Sequence, residues 1–397
     1  MLSAIRYLSR AGGAGVLYAI KFFVRYDIAV IGAGLAGLHT ARLLASRGLR
    51  VLLIDRKRSL ADGIHTTGIF VRKTWEDFPL PDEQLGKPIR DVTLYSPARR
   101  AMQLTADHDE FRIGRMSWIY LYLLDQCARA GVRFMPQTRF LEGDGTSITV
   151  SRGTNVERID VRFVIGADGA QSRVARAFGL DTNREMLAGI EDVVPGRAST
   201  PQLHCYLDPR LAPGYIAWVA DDGVESHIGL AGYRPRFDPA AALERFRASL
   251  GKTPARRIER RGGMIPVGGM LRRIANERAL LVGDAAGAVS PLTAGGLDPA
   301  IRLSSFAAEV AAAWLDSGDR DVLRQYTGDL FRARFMARTW MRRIIRTIES
   351  PLAMELACAL LRTPPLRAVA AHVFFARGSF PDAPGVFMRY PATPRAH

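Results

Sequence analysis

The sequence is poor in two residues that often decide a class at once, cysteine and lysine. Only three of its 397 residues are cysteines, Cys127, Cys205 and Cys358, far apart and never in a CxxC pair. That spacing argues against a zinc module, a thioredoxin-type dithiol and a disulfide-stapled secreted scaffold, and it fits a reducing, cytoplasmic compartment. Five lysines stand against fifty arginines, so arginine carries nearly all of the +16 net charge. Such a balance suits an anionic partner, and it equally suits a genome of biased base composition. No nucleic-acid-binding motif accompanies the charge, so no nucleic-acid partner is expected. No uncharged apolar run reaches the roughly 18 residues of a membrane-spanning helix. Near the start, Arg6 and Arg10 precede an apolar run over 12–20 that Lys21 and Arg25 interrupt. Without a small-residue cleavage signature before Tyr26, residues 1–25 read as an extension or an overcalled start, with a membrane-surface anchor as the other reading. Metal-ligand clusters, a Ser/His/Asp relay, internal repeats and low-complexity tracts are missing as well. Their absence is expected where a cofactor carries the chemistry.

What is present begins at Tyr26. The chain runs Tyr-Asp-Ile-Ala-Val-Ile into Gly32-Ala-Gly34-Leu-Ala36-Gly37, continues through a helix-like stretch over 38–48, and ends an apolar run over 49–54 at Asp55. Strand, glycine turn, helix and second strand follow from that pattern. Gly32 allows the tight turn, Gly34 lets a pyrophosphate approach the backbone, and Gly37 lets the helix pack closely on the sheet. The helix N-terminus then faces the phosphates. Asp55 stands 23 residues after Gly32, where a carboxylate can accept from both ribose hydroxyls of an adenosine. The fingerprint marks a dinucleotide site without choosing between NAD and FAD.

Two later segments choose. Phe163-Val-Ile-Gly-Ala-Asp168-Gly-Ala-Gln-Ser-Arg173 resembles the DG motif of the flavoprotein hydroxylase and geranylgeranyl reductase superfamily. The segment 279–297, with Gly283-Asp284, Pro291 and Gly295-Gly296-Leu297, resembles its GD motif. In the second, a buried strand over 279–282 delivers Asp284 to its C-terminal end, where a carboxylate can hold a polyol hydroxyl such as that of a flavin ribityl chain. Pro291 sets a turn, and Gly295-Gly296 opens a helix whose free N–H groups suit the pyrimidine edge of a reduced flavin. The resemblance implies FAD as cofactor and NADPH or NADH as electron donor. It implies FAD contacts at Gly32, Gly34, Ala36, Gly37, Asp55, Arg56, Asp168, Asp284, Gly295, Gly296 and Leu297. It adds Arg115, because family members carry an arginine before the helix that starts there; a solvated arginine is the other reading.

Over roughly residues 26 to 310 the chain is most similar to the geranylgeranyl reductase group. Pro213-Gly-Tyr215-Ile-Ala-Trp218 looks like that group's aromatic substrate-pocket motif, and Met264-Ile-Pro266 like its strand leading back to the FAD domain. The aromatic motif has an extra residue between Tyr215 and Trp218 and lacks its terminal Phe-Pro. A family cysteine is missing near Ile64-His65-Thr66-Thr67-Gly68. The resemblance therefore implies Tyr215 and Trp218 as substrate contacts, with core packing as the alternative. His65 stands where an imidazole could donate a proton to a reduced alkene, or it is a hydrogen-bonded structural residue. The implied function is reduction of C=C bonds in a long apolar, isoprenoid-like small molecule. A monooxygenase acting on an aromatic or polyketide-like substrate, and a non-redox flavoprotein, remain the alternatives.

The expected fold class is α/β: a discontinuous Rossmann-type FAD-binding domain (26–75, 106–179 and 269–325), an inserted β-rich substrate domain (76–105 and 180–268), and a C-terminal helical region (326–397). Strand signals over 133–141, 147–151 and 158–165 read as a meander, and a second β region over 202–233 contains a hairpin at Asp221-Asp222-Gly223. In the C-terminal region Met336, Trp340, Ile344 and Ile348 recur at i+4 beside the stripe Arg334, Arg338, Arg342 and Arg346. This basic amphipathic helix is expected either to present an ordinary solvated face or to lay its arginines on an anionic membrane, making the protein peripheral to the inner membrane.

Overall fold

A computed structural model describes residues 25–196, 200–235, 237–251 and 256–375. The reading of residues 1–25 falls almost wholly outside them, as does the last part of the C-terminal region. In chain order the elements are β1 (Tyr26–Ile31), α1 (Leu35–Ala45), β2 (Val51–Ile54), β3 (Ile69–Val71), α2 (Arg72–Asp77), β4 (Asp91–Tyr95), β5 (Ala101–Thr105), β6 (Phe111–Ile113) and α3 (Met116–Arg129). Next come β7 (Arg133–Met135), β8 (Arg139–Gly143), β9 (Ser147–Arg152), β10 (Asn155–Gly166), α4 (Arg173–Ala177), β11 (Met186–Pro195), β12 (Gln202–Tyr206), β13 (Ala217–Asp221) and β14 (Glu225–Gly232). The last are α5 (Pro239–Ser249), β15 (Glu259–Pro266), β16 (Ala279–Leu281), α6 (Leu297–Ser317), α7 (Arg320–Arg324), α8 (Asp329–Thr347), α9 (Pro351–Leu361) and α10 (Pro364–Phe375).

The first sheet is ordered β7-β2-β1-β10-β9-β8, with β16 also pairing β10. Its parallel strands β1, β2 and β16 are apolar on both faces, as burial between helices demands. Helices α1 and α6 cover one side and lock together through His39 Nε2 and Ser305 Oγ at 2.9 Å and through the Ser304 hydroxyl, which donates to the Ala36 carbonyl at 3.2 Å. Gly37 makes the approach of α1 to the sheet possible: a Cβ there would stand 1.8 Å from the Gly32 carbonyl oxygen. Gly32 itself has φ +102°, a backbone region that side chains disfavour.

The meander differs from its sequence reading in one respect. The stretch 133–141 is two strands, β7 running parallel to β2 and β8 antiparallel to β9. Between them the chain breaks at Pro136 and Gln137, where φ is +53°, and the Gln137 and Thr138 N–H groups donate to the carbonyls of Lys57 and Asp55. β10 then serves twice, its first half pairing β9 and its second half lying between β1 and β16.

The second sheet is ordered β15-β11-β14-β13-β12-β4-β5, antiparallel throughout except where β12 runs beside β4. Strand β11 carries Glu191 and Asp192, which obscure its apolar pattern. Both acids are buried and partnered: Asp192 accepts from Arg260 at 2.7 Å and Arg247 at 2.5 Å.

Candidate active site

The carboxyl ends of the parallel strands open on a cavity of about 1770 Å³. Ile31, Ile54, Ala167 and Val282 line it from the first sheet, Ile190, Leu203 and Trp218 from the second, and Met341, Ile345, Leu361 and Val373 from α8, α9 and α10. Crevices outside the carboxyl ends of such strands are where this class of sheet binds ligands.

Most residues singled out in the sequence meet here. Gly32, Gly34, Ala36, Asp55, Arg56, Asp168, Asp284, Gly295, Gly296, Leu297, His65, Tyr215 and Trp218 all line the cavity. Gly37 lies behind it, packing α1 on the sheet. A Cβ added to Gly34 would meet nothing within 4 Å, so the glycine leaves a cradle on the cavity wall. The Asp55 carboxylate accepts from Ala33 N–H at 2.7 Å and Lys57 N–H at 2.8 Å. A carboxylate has about four lone-pair positions, which leaves room for two further donors.

Asp284 sits after β16 on a short 3₁₀ turn (Gly283–Ala286), and among the described residues no hydrogen bond reaches its carboxylate. Burial alone lifts its pKa to about 6. A sunken, unpartnered carboxylate beside a helix start is what a polyol ligand would complete. That helix start is Gly296, which caps α6 with no side-chain oxygen and leaves the first-turn amides available.

One expectation is corrected, and a second residue is found engaged locally. Arg115 does not line the cavity; its guanidinium meets Asp222 at 2.8 Å and Glu225 at 3.0 Å, tying the start of α3 to the β13–β14 turn. Asp222 is fully buried, and this pairing holds Arg115 away from the strand ends. Asp168 lines the cavity, but its carboxylate is occupied locally: it accepts from the Ser172 hydroxyl at 2.6 Å and from the N–H groups of Arg173 and Val174. These bonds hold the turn into α4.

His65 Nδ1 donates to the Gly262 carbonyl at 2.7 Å, the hydrogen-bonded arrangement weighed against a catalytic one. The Tyr215 hydroxyl donates to the Thr293 carbonyl at 2.8 Å, joining the aromatic segment to the loop before α6. Burial pushes that hydroxyl far above the usual tyrosine range, so it stays protonated. Trp218 stands edge-on to Tyr215 at 6.5 Å.

Sequence reasoning missed a charged cluster on the same wall. The Thr67 hydroxyl donates to Glu191 at 2.5 Å, Glu191 meets His227 at 3.3 Å, and Arg261 lies 3.7 Å from Glu191. Burial would raise Glu191, but His227, Thr67 and Arg261 outweigh it and hold the carboxyl below its usual range. Burial would lower His227, but Glu191 and Glu225 hold it above. These residues converge from four separate segments, so no linear motif announces them. Among the described residues no cluster of metal-ligating side chains occurs.

Two arginines of the C-terminal stripe turn inward, against expectation, while Arg346 stays exposed. Arg342 is buried and Arg338 half-buried on the cavity side of α8, while Met336, Trp340 and Ile344 face outward. The Arg334 side chain lies outside the described residues. Tyr215 and Tyr233 draw Arg342 inward by offering their ring faces at 4.9 and 5.3 Å.

Residues 115–339 match the FAD binding domain family, and residues 27–110 match FAD dependent oxidoreductase. The chain is 30% identical to digeranylgeranylglycerophospholipid reductase 1 of Methanothermobacter thermautotrophicus, over 74% of this chain and 78% of that one. It is 28% identical to the digeranylgeranylglycerophospholipid reductase of Methanothrix thermoacetophila, over 75% and 81%. Among solved structures, a geranylgeranyl bacteriochlorophyll reductase-like protein of Thermoplasma acidophilum shares the fold with a TM-score of 0.77 at 18% identity, covering 89% of this chain and 97% of that one. A p-nitrophenol 4-monooxygenase of Pseudomonas putida shares it with a TM-score of 0.64 at 17% identity, covering 90% and 95%.

Proposed function

The chain belongs to the FAD-binding oxidoreductases and, among them, to the geranylgeranyl reductase family, and on that premise we propose that it reduces carbon–carbon double bonds of a long apolar, isoprenoid-like substrate. The observation that carries this reading is the cavity: a glycine cradle and an unpartnered Asp284 at the strand ends continue into a wall of aliphatic side chains from α8, α9 and α10. Gly32 and Gly34 would take the pyrophosphate of FAD, Asp55 the adenosine ribose, Asp284 a ribityl hydroxyl, and the first amides of α6 at Gly296 and Leu297 the pyrimidine edge. FAD bound there, once reduced by NADPH or NADH, would supply the hydride. Trp218 and Tyr215 bound the space where the substrate chain lies, and Tyr215, fixed to Thr293, holds its ring at a set angle to that space. We assign segments 76–105 and 180–268 to the substrate-covering unit; strands β4, β5 and β11 to β15, all of one sheet, fall within them.

No described helix is long and apolar enough to cross a membrane. The substrate instead enters from a membrane surface that the protein touches from the cytoplasmic side. Trp340 is 59% and Leu352 80% exposed, and with Met336, Ile344, Leu356 and Leu360 they form an outward apolar face. Ile344 and Leu360 also line the cavity, so its mouth opens on that face. The free, buried cysteines suit the reducing interior.

The test uses FAD-loaded protein whose flavin has been reduced under nitrogen. Polyprenyl phosphates should restore the oxidised flavin spectrum without oxygen. If only oxygen restores it, and an aromatic acid speeds that step, the monooxygenase reading replaces this one.

A further inference from the structure

Three arginines are buried among the described residues, Arg261, Arg302 and Arg342. Arg261 meets Glu259 at 2.9 Å, and Arg302 meets Asp298 at 3.0 Å and Asp77 at 2.7 Å. Arg342, only 2% exposed, meets no carboxylate among the described residues. Its Nε donates to the Tyr233 hydroxyl at 3.2 Å, and its Nη2 has no hydrogen-bond partner. One turn earlier, Arg338 donates from Nη1 to the Ser290 hydroxyl oxygen at 3.2 Å and likewise meets no carboxylate. Both side chains line the cavity. Glu185, an acid near α8, serves Arg346 at 3.7 Å.

A guanidinium keeps its proton in a protein, and burying it without an anion is costly. The ring faces of Tyr215 and Tyr233 attract the charge of Arg342 without neutralising it. Arg338 shows the same imbalance: burial pulls it below the usual arginine range, whereas the carboxylates around Arg302 overcome burial and push that residue up. Two planar forks one helical turn apart, on a cavity wall whose other α8–α10 residues are largely apolar, match an anion with several equivalent oxygens.

We propose that Arg338 and Arg342 form a subsite for the phosphate headgroup of a substrate whose apolar chain fills the rest of the cavity. The flavin's own phosphates are assigned elsewhere, to the cradle at Gly32 and Gly34. The proposal rests on reading the cavity as the site of an apolar chain, and it is independent of the reaction that follows.

Binding decides it without turnover. FAD-loaded protein is titrated by calorimetry with geranylgeranyl monophosphate, with geranylgeraniol and with inorganic phosphate, as wild type and as the Arg338→Met/Arg342→Met variant. The wild type should bind the phosphate ester about tenfold or more tighter than the alcohol, and inorganic phosphate far more weakly than either. The variant should bind ester and alcohol alike, keep its flavin and melt no lower than wild type, because a buried unpaired charge has gone. A purely structural role predicts the opposite, a lower melting temperature with the ester preference intact. Equal binding of ester and alcohol by the wild type overturns the subsite, as does inorganic phosphate binding as tightly as the ester. Flavin loss from the variant reassigns the arginines to the cofactor. Should the double variant fail to fold, Arg338→Met alone, at a half-buried position, gives the same readout. Protein that prefers the ester yet transfers no hydrogen keeps the subsite and overturns the reductase reading.

Discussion

Asp284 lines the cavity at the end of β16, with no hydrogen bond to its carboxylate among the described residues. Its place after an apolar strand and before a glycine-opened helix was legible in the line of residues. Its lack of a partner was not, because that depends on what the rest of the fold leaves empty. The consequence is a pH dependence. In flavin-free protein the pKa of Asp284 is about 6 against an ordinary 3.8, so its contribution to stability is full below pH 3.8 and is lost as pH rises through 6. A ribityl hydroxyl donates to the ionised form, so FAD affinity should rise over the same window. Fluorescence titrations from pH 5 to 8 should show that rise in wild type and a flat, weaker affinity in Asp284→Asn; an unchanged slope in the variant would remove Asp284 from the site. Arg115 and Arg342 were misread for a shared reason. The partner of a long cation is set by folding, and sequence neighbours say nothing about it.

At the scale of elements, strong periodicity carried the argument and orientation did not. Helix α8 was legible as amphipathic from its i+4 spacing, yet Arg338 and Arg342 turn inward, while Arg343 and Arg346 stay exposed, because the wall those two form is completed by tyrosine rings and, as proposed above, by ligand charge. The outward surface therefore carries the apolar residues Met336, Trp340 and Ile344 beside the exposed Arg343 and Arg346. Replacing Trp340 and Ile344 by serine should change stability by no more than about 0.5 kcal/mol, as exposed substitutions do, while lowering co-sedimentation with anionic vesicles. Unchanged co-sedimentation would remove this face from membrane contact. Strand β11 escaped notice because Glu191 and Asp192 interrupt its apolar pattern, and their partners come from β14, α5 and β15. His227 is held above its ordinary pKa by Glu191 and Glu225, although burial opposes it. Its contribution to stability is thus full below pH 6.5 and falls as pH rises through the folded value. His227→Gln should cost about 3 kcal/mol at pH 6, since it leaves the buried Glu191 with Arg261 at 3.7 Å as its nearest remaining cation, and the cost should shrink toward pH 9. A cost independent of pH in denaturant melts would mean that His227 is uncharged in the fold.

For the whole molecule, the first sheet was the more legible half because its strands are apolar and punctuated by glycine. The second sheet was harder to read: β4 and β5 join strands from more than ninety residues later, and such pairing leaves no local trace. The two sheets meet at the cavity, where Tyr215 is tied to the loop before α6. This arrangement sets the cofactor cradle and the apolar wall in one enclosed space, and the central claim is that hydrogen is added to an alkene there. The most direct measurement is the mass of the product after turnover with a polyprenyl phosphate, NADPH and FAD-loaded protein under strict exclusion of oxygen. The product should be heavier by two hydrogens for each double bond reduced, and should form at the same rate when oxygen is absent. A product heavier by one oxygen atom, formed only when oxygen is admitted, would contradict that claim.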